Sequence, residues 1–261
     1  AAYNSTSAFA TGNIASASAF PNQPAGLTVI RDTPFSAIPQ DGWAYTYPDY
    51  NPGAGIVTDT TAPYSPSTVS MQRFPAGLVG GTGGGYGSVW SNLGGPHEVT
   101  YYGFYLKTDS NYEQHPVMTK LAWFQVPTNS IFVALTGTTT FNITLSWQWP
   151  DGDADNSHLG FVGSGQIYGS QAFARGQWVL VEVLYKPSTT KTSQDGVFRS
   201  WVNGVYNGGT LQLNTPDGYS TGRLKTYYAS NLTIWGGTGS TKTRDSNLYW
   251  DHWRIAVGNS L

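Results

Sequence analysis

Hydrophobic and polar positions alternate along most of this chain with the period of two that a β-strand imposes, and no stretch holds the 3.6-residue period of a long helix. Residues 141–149 are the clearest case. Phe141, Ile143, Leu145, Trp147 and Trp149 fall on one face, and Asn142, Thr144, Ser146 and Gln148 on the other. Further strands are expected over residues 28–32, 99–107, 118–126, 131–135, 197–202, 232–235 and 249–257. Residues 178–185 are apolar on both faces apart from Glu182, the pattern of a central strand. Asn203-Gly204, between residues 197–202 and Val205-Tyr206, is the strongest short-range hairpin signal a sequence carries. Many antiparallel strands in one chain point to an all-β sandwich or jelly roll.

The first twenty residues break this pattern. They are small and polar without a sustained period, and read as an N-terminal arm, with Tyr3, Phe9 and Phe20 available to pin it to a surface. Residues 21–261 read as a single domain. No repeat of fixed period is present. The glycine-rich residues 77–87 lack the preceding strand and following helix of a phosphate loop and read as a surface loop or lid.

Composition narrows the function classes. Charged residues make up 11% of the chain against about 25% in an average soluble domain, and glycine, aromatics, Ser, Thr and Asn fill the difference. A net charge of −2 supplies no cationic face for nucleic acid. No apolar run is long enough to insert into a bilayer. The absence of cysteine removes disulfides, thiolate metal sites and a cysteine nucleophile together. This balance fits a carbohydrate-facing β protein that is secreted or held at the cell surface, the chain being a mature form whose signal has been removed.

The C-terminal half carries a recognisable order: Gln177-Trp178…Glu182, Asp195-Gly196…Arg199-Ser200-Trp201-Val202-Asn203-Gly204, Trp235-Gly236-Gly237 and Trp250-Asp251-His252. Over residues 95–257 this resembles the concanavalin A-like lectin and glucanase jelly rolls, in the branch of laminin-G-like modules and heparin- and glucuronan-type polysaccharide lyases. The resemblance implies two stacked antiparallel sheets, the concave one binding or cleaving a glycan. It also implies a structural calcium on the convex side held by Asp251, with Asp32 as a partner if the termini pair.

The residue types present bear on three chemistries. Glycoside hydrolysis needs two carboxyls flanking one bond, and none of Glu98, Glu113 and Glu182 has a second acid two to five residues away on a strand. β-Elimination from a uronate needs a neutraliser, a base and an acid; Arg199, then His115 or Lys120, then Tyr185 or Tyr105 supply those types. The alginate-lyase strand signatures are missing. Simple recognition needs aromatic platforms with convergent polar groups. Arg199 and Trp201 share a face at i and i+2, with Tyr185, Lys120, Trp123 and Tyr105 as further ligand-binding candidates. Trp147, Trp149, Trp178 and Trp253 are expected in the core; Trp90, Trp123 and Trp235, near loops, are expected to be exposed.

Asp151, Asp153 and Asp155 have the spacing that sets alternate carboxylates round a calcium ion, without the glycine and glutamate of a full calcium loop. The four histidines show no zinc-binding spacing, and no nucleophile elbow is present. Asn4, Asn142 and Asn231 begin glycosylation sequons. The reading that fits best is extracellular polysaccharide binding, followed by a polysaccharide lyase. A structural or adhesive surface protein that self-associates through the arm is the third.

Overall fold

Strand-forming residues so dominate the chain that the computed structural model has no helix among the residues it describes, which are 19–45, 54–63, 67–81, 87–126, 129–148, 164–190, 193–213, 217–218, 222–223, 225–231, 233–237 and 239–261. Sheet A runs in the order β14 (Val205–Leu213), β13 (Gly196–Val202), β12 (Val179–Lys186), β6 (Val99–Thr108), β19 (Ser246–Gly258), β4 (Thr68–Phe74) and β3 (Gly55–Thr58), with β1 (Thr28–Thr33) also on β19. Sheet B runs β10 (Ser164–Ile167), β9 (Phe141–Gln148), β8 (Asn129–Thr136), β7 (Thr119–Val126), β17 (Thr226–Ser230), β5 (Val89–His97) and β2 (Trp43–Tyr45). In that sheet β11 (Ala172–Phe173) also pairs with β9, and β18 (Ile234–Trp235) with β7. β15 (Asp217–Gly218) and β16 (Gly222–Arg223) form a separate small hairpin. The two large sheets pack face to face as an antiparallel jelly-roll sandwich.

The inner faces carry the core. Phe141, Ile143, Leu145 and Trp147 point inward as their alternation predicts, against Tyr102, Phe104, Val181, Val183 and Phe198 of sheet A. Tyr102 and Phe124 stack across the sheets at 3.8 Å. Trp253 is stacked on Phe104 at 4.7 Å and meets Trp43 edge-on at 4.9 Å. Each such ring withdrawn from water contributes roughly 1.5–3 kcal/mol. One polar group crosses this core at no loss. Gln72 donates to Ser88 at 3.1 Å and to the Asn231 carbonyl at 2.7 Å, and accepts from Trp250 Nε1 at 2.9 Å and from the Thr233 hydroxyl.

Tyr185 belongs to this inner layer. It is fully buried and edge-on to Phe198, and burial drives its phenol far above the ordinary range. Its expected place among ligand-binding and catalytic groups is therefore corrected. β12 is apolar on both faces, so alternation alone gave no sign of which face Tyr185 takes.

Sheet A is covered on its outer face as well. Phe20 lies over it, 1% exposed, with Val99, Tyr101, Tyr105, Leu180, Leu184 and Ala256. Gly103 makes the approach possible, since a Cβ there would stand 2.2 Å from the Phe20 ring. Asn22 donates its backbone N–H and its amide to Glu182, both at 2.8 Å, and Tyr101 donates its hydroxyl to the same carboxylate at 2.6 Å. Arg254 stands 4.7 Å over the Phe20 ring and holds Asp32 at 2.8 Å, with His252 on the same carboxylate. The end of the N-terminal arm is thus part of the packed structure. Residues 1–18 lie outside the described residues.

Phe20→Ala should cost about 3 kcal/mol in urea unfolding, at the low end of buried Phe truncations; a loss under about 0.5 kcal/mol would mean the segment is not seated. Burial works to raise the Asp32 pKa, but hydrogen bonds from Arg254 and His252 outweigh it and hold the carboxyl below its ordinary value. Its contribution to stability is therefore complete above the unfolded-state value and lost as pH falls through the folded one. The difference in melting temperature between wild type and Asp32→Asn should be constant above about pH 4 and shrink toward zero in stronger acid.

Candidate functional site

Two outer faces are available for function, and they differ. The register of sheet B lines up a row of outward positions that crosses five strands: Trp90 on β5 opposite Ser230 on β17, Ser230 opposite Trp123 on β7, Trp123 opposite Phe132 on β8, and Phe132 opposite Ser146 on β9. At about 4.8 Å per strand, Trp90 and Phe132 stand some 14 Å apart. A second row runs beside it: Asn92, Tyr228, Gln125, Ser130 and Gln148, each opposite the next. On the far side of the aromatic row Ile234, Lys120, Ala134 and Thr144 form a third. A bulge at Leu121 lets β7 present both Lys120 and Trp123 outward while Ala122 and Phe124 face the core.

The face is graded from wet to dry. Trp90 and Tyr228 are 39% and 37% exposed with ring centroids 6.0 Å apart, whereas Trp123 and Phe132 are 7% and 2% exposed and 4.7 Å apart. Lys120 Nζ stands 5.1 Å from each of the two inner rings, and burial lowers its pKa. The hydroxyls of Ser230 and Ser146, in the aromatic row, are buried without a hydrogen-bond partner. Buried hydroxyls are normally paired, so these two stand out as exceptions in line with the rings.

The structure separates the lyase candidates. Lys120 is on the outer face of sheet B, Arg199 on the outer face of sheet A, and Tyr185 between the sheets. His115 is 1% exposed and edge-on to Trp235 at 4.8 Å, its Nδ1 accepting the Val117 N–H at 3.1 Å. Burial lowers its pKa, and the Gly237 backbone opposes this. Gly236, at φ +71°, has no Cβ to strike the imidazole. The expected four-residue constellation of base, acid and neutraliser is thus not assembled in one place.

The ligand-binding candidates divide in the same way. Trp123 and Lys120 share the sheet B face, while Trp201, Arg199 and Tyr105 are on sheet A. Tyr105 is 4% exposed and its hydroxyl reaches the Ala19 carbonyl at 3.4 Å, so the N-terminal segment covers it. Trp235, expected to be exposed, packs in the core with its Nε1 donating to the Glu113 carbonyl at 2.8 Å. Trp90 is exposed as expected. Tyr228, Phe132 and the two serines were missed, because a row across strands depends on pairing that local alternation does not encode.

Of the donors expected for calcium, Asp32 and Asp251 lie among the described residues. Asp32 is engaged by Arg254 and His252, and Asp251 is fully buried. Among the described residues no group of three or more His, Asp or Glu side chains is placed to hold a metal ion. Asp151, Asp153 and Asp155 lie outside the described residues.

No protein-family model matches the chain, and no curated protein is detectably similar to it in sequence. Solved structures do resemble it. An endo-β-1,4-glucuronan lyase from the fungus Trichoderma reesei superposes with a TM-score of 0.58 at 12% identity, covering 86% of this chain and 94% of that one. An alginate lyase from a Chlorella virus gives 0.54 at 12% identity, covering 78% and 90%. A carbohydrate esterase from the Shiga toxin-encoding bacteriophage phi24B gives 0.51 at 11% identity, covering 90% and 100%. At these identities the likeness is one of fold.

The gradient across the face has a direct consequence. Trp90→Ala should change unfolding free energy by no more than about 0.5 kcal/mol, as for a surface residue, whereas Trp123→Ala should cost about 3–5 kcal/mol. Equal losses in urea unfolding would contradict the arrangement.

Proposed function

We propose that this protein binds an extracellular polysaccharide across the outer face of sheet B. The observation that carries the reading is the transverse row of Trp90, Ser230, Trp123, Phe132 and Ser146, flanked by the polar row from Asn92 to Gln148. A pyranose ring offers an apolar C–H face and a rim of hydroxyls. Flat rings with polar residues alongside them suit both parts of it. Trp90 and Tyr228 form the accessible end of the platform, and Lys120 adds a cation that favours an acidic sugar. The similarity in fold to the glucuronan and alginate lyases supports a carbohydrate ligand and a place in the concanavalin A-like superfamily, with calcium at Asp251 a separate proposal.

A lyase is the second reading, and one observation favours it. Lys120 lies among aromatic rings with its pKa lowered by burial, as a lysine acting as a general base requires. Binding is preferred, because Arg199 and Tyr185 are not on this face. The adhesive reading is weakest, since Phe20 is already spent on the chain's own sheet A.

The test is affinity electrophoresis on a panel of neutral and acidic polysaccharides, with ultraviolet absorbance followed for unsaturated uronate. Trp90→Ala and Tyr228→Ala should each weaken retardation roughly 3- to 10-fold, the worth of one stacking contact. A rise in absorbance abolished by Lys120→Gln would make the protein a lyase. Retardation unchanged in both aromatic variants would reject sheet B as the site.

A further inference from the structure

The Arg199–Trp201 pair lies on the opposite side of the sandwich from the platform just described, and its surroundings are unusual. β13 and β14 are joined by the Asn203–Gly204 turn, and among the described residues β14 has β13 as its only ladder partner in sheet A. The register slips at Asn207, which turns inward: its amide donates to the Ile143 carbonyl at 2.9 Å and to Ser200 at 3.0 Å, and its oxygen accepts the Gln171 N–H at 3.0 Å. This bulge fixes Tyr206 on the outer face opposite Trp201. The two rings meet edge-on at 6.4 Å. Tyr206 is 47% exposed, and its hydroxyl donates to the Gly209 carbonyl at 3.2 Å, which lays the ring along the strand.

Arg199 completes the cluster. Its guanidinium stands 5.6 Å from the Tyr206 ring centroid. Gly209, at φ +147°, makes room for the stem, since a Cβ there would lie 2.8 Å from Arg199 Cγ. The Arg199 Nε is buried without an acceptor, and no carboxylate among the described residues pairs with this side chain. Leu184 is its neighbour on β12. The nearby Glu182 is already capped by Asn22 and Tyr101, and Lys186 reaches Asp195 at 3.6 Å. A guanidinium is a planar fork of donors made for two acidic oxygens, and leaving it without any is unfavourable.

We propose that Trp201, Tyr206 and Arg199 form a second glycan subsite, on the outer face of sheet A, that takes a pyranose bearing a carboxylate or a sulfate. The rings stack on the sugar and the guanidinium grips the anion. With a site on each face, one molecule engages two chains or two segments of one chain, so its avidity on a polyanionic glycan exceeds either affinity. The subsite does not depend on the platform of sheet B and stands or falls separately.

The test is calorimetry and NMR titration of the full chain with oligogalacturonate, a chondroitin sulfate oligosaccharide and neutral cellohexaose. All are repeated in a Trp90→Ala/Tyr228→Ala background that removes the other platform. The subsite predicts shifts of the Arg199 Nε–H and Trp201 indole signals with an acidic probe in that background. It also predicts at least 10-fold weaker binding in Trp201→Ala and Arg199→Gln. Arg199→Lys, which keeps charge and loses the fork, should fall between, and it serves in place of Arg199→Gln if that variant fails to fold. The two acidic probes distinguish carboxylate from sulfate. Absence of shifts with both, or equal response to cellohexaose, overturns the proposal; loss of binding in the double variant alone would count against sheet A while leaving sheet B intact.

Discussion

A strand can aim only every second side chain at the same face, and this parity governs what the molecule is able to do. In a two-sheet sandwich it sorts the residues into one inner layer and two outer ones that never meet. Arg199 and Lys120 are both cations set beside aromatic rings, yet the thickness of the protein lies between them. Tyr185 is one strand away from Arg199 and in a different layer. Chemistry that needs several groups round one atom must therefore be drawn from one face of one sheet, with bulges as the means of adjusting it. The bulges at Leu121 and Asn207 do so on opposite sides of the molecule.

The two outer faces have been put to different uses. The centre of sheet A is closed by the chain itself, with Phe20 as the plug and Glu182 as its anchor. Burial raises the Glu182 pKa even though Tyr101 and Asn22 donate to its carboxylate and work against the shift. The cost of holding a carboxylate there is accepted for the sake of fixing the segment. Sheet B keeps its rings in line and two serine hydroxyls unpaired, which gains nothing for stability. On sheet B the exposed Trp90 and Tyr228 are available to a ligand, while Trp123 and Phe132 are buried and also hold the fold together.

Much of the fold was legible in the sequence, for local reasons. The alternation of β9 and the Asn203–Gly204 hairpin are properties of neighbouring residues, and both are found as read. β13 offered apolar residues on both faces, and the structure turns Phe198 and Val202 inward and Arg199 and Trp201 outward. The site was less legible. Trp90, Ser230, Trp123 and Phe132 are scattered over more than 140 positions of chain and are joined only by pairing between strands. Trp123 lies near the C-terminal end of β7 yet is buried, with Phe132 packed against it across the ladder.

The buried Gln72 network bears on how the protein can be made. The Asn231 and Thr233 that begin and end a glycosylation sequon are both fully buried, and both are bonded within that network. The Asn231 side-chain nitrogen, the atom to which a glycan would be joined, is shielded from solvent. In a cell that attaches sugars to chains as they emerge, modification and folding compete for this one atom. A sugar on Asn231 would stand where Gln72 and Val89 meet this residue in the folded chain. In such a cell the folded protein would carry no glycan at Asn231, because the closed Gln72 network leaves that nitrogen out of reach.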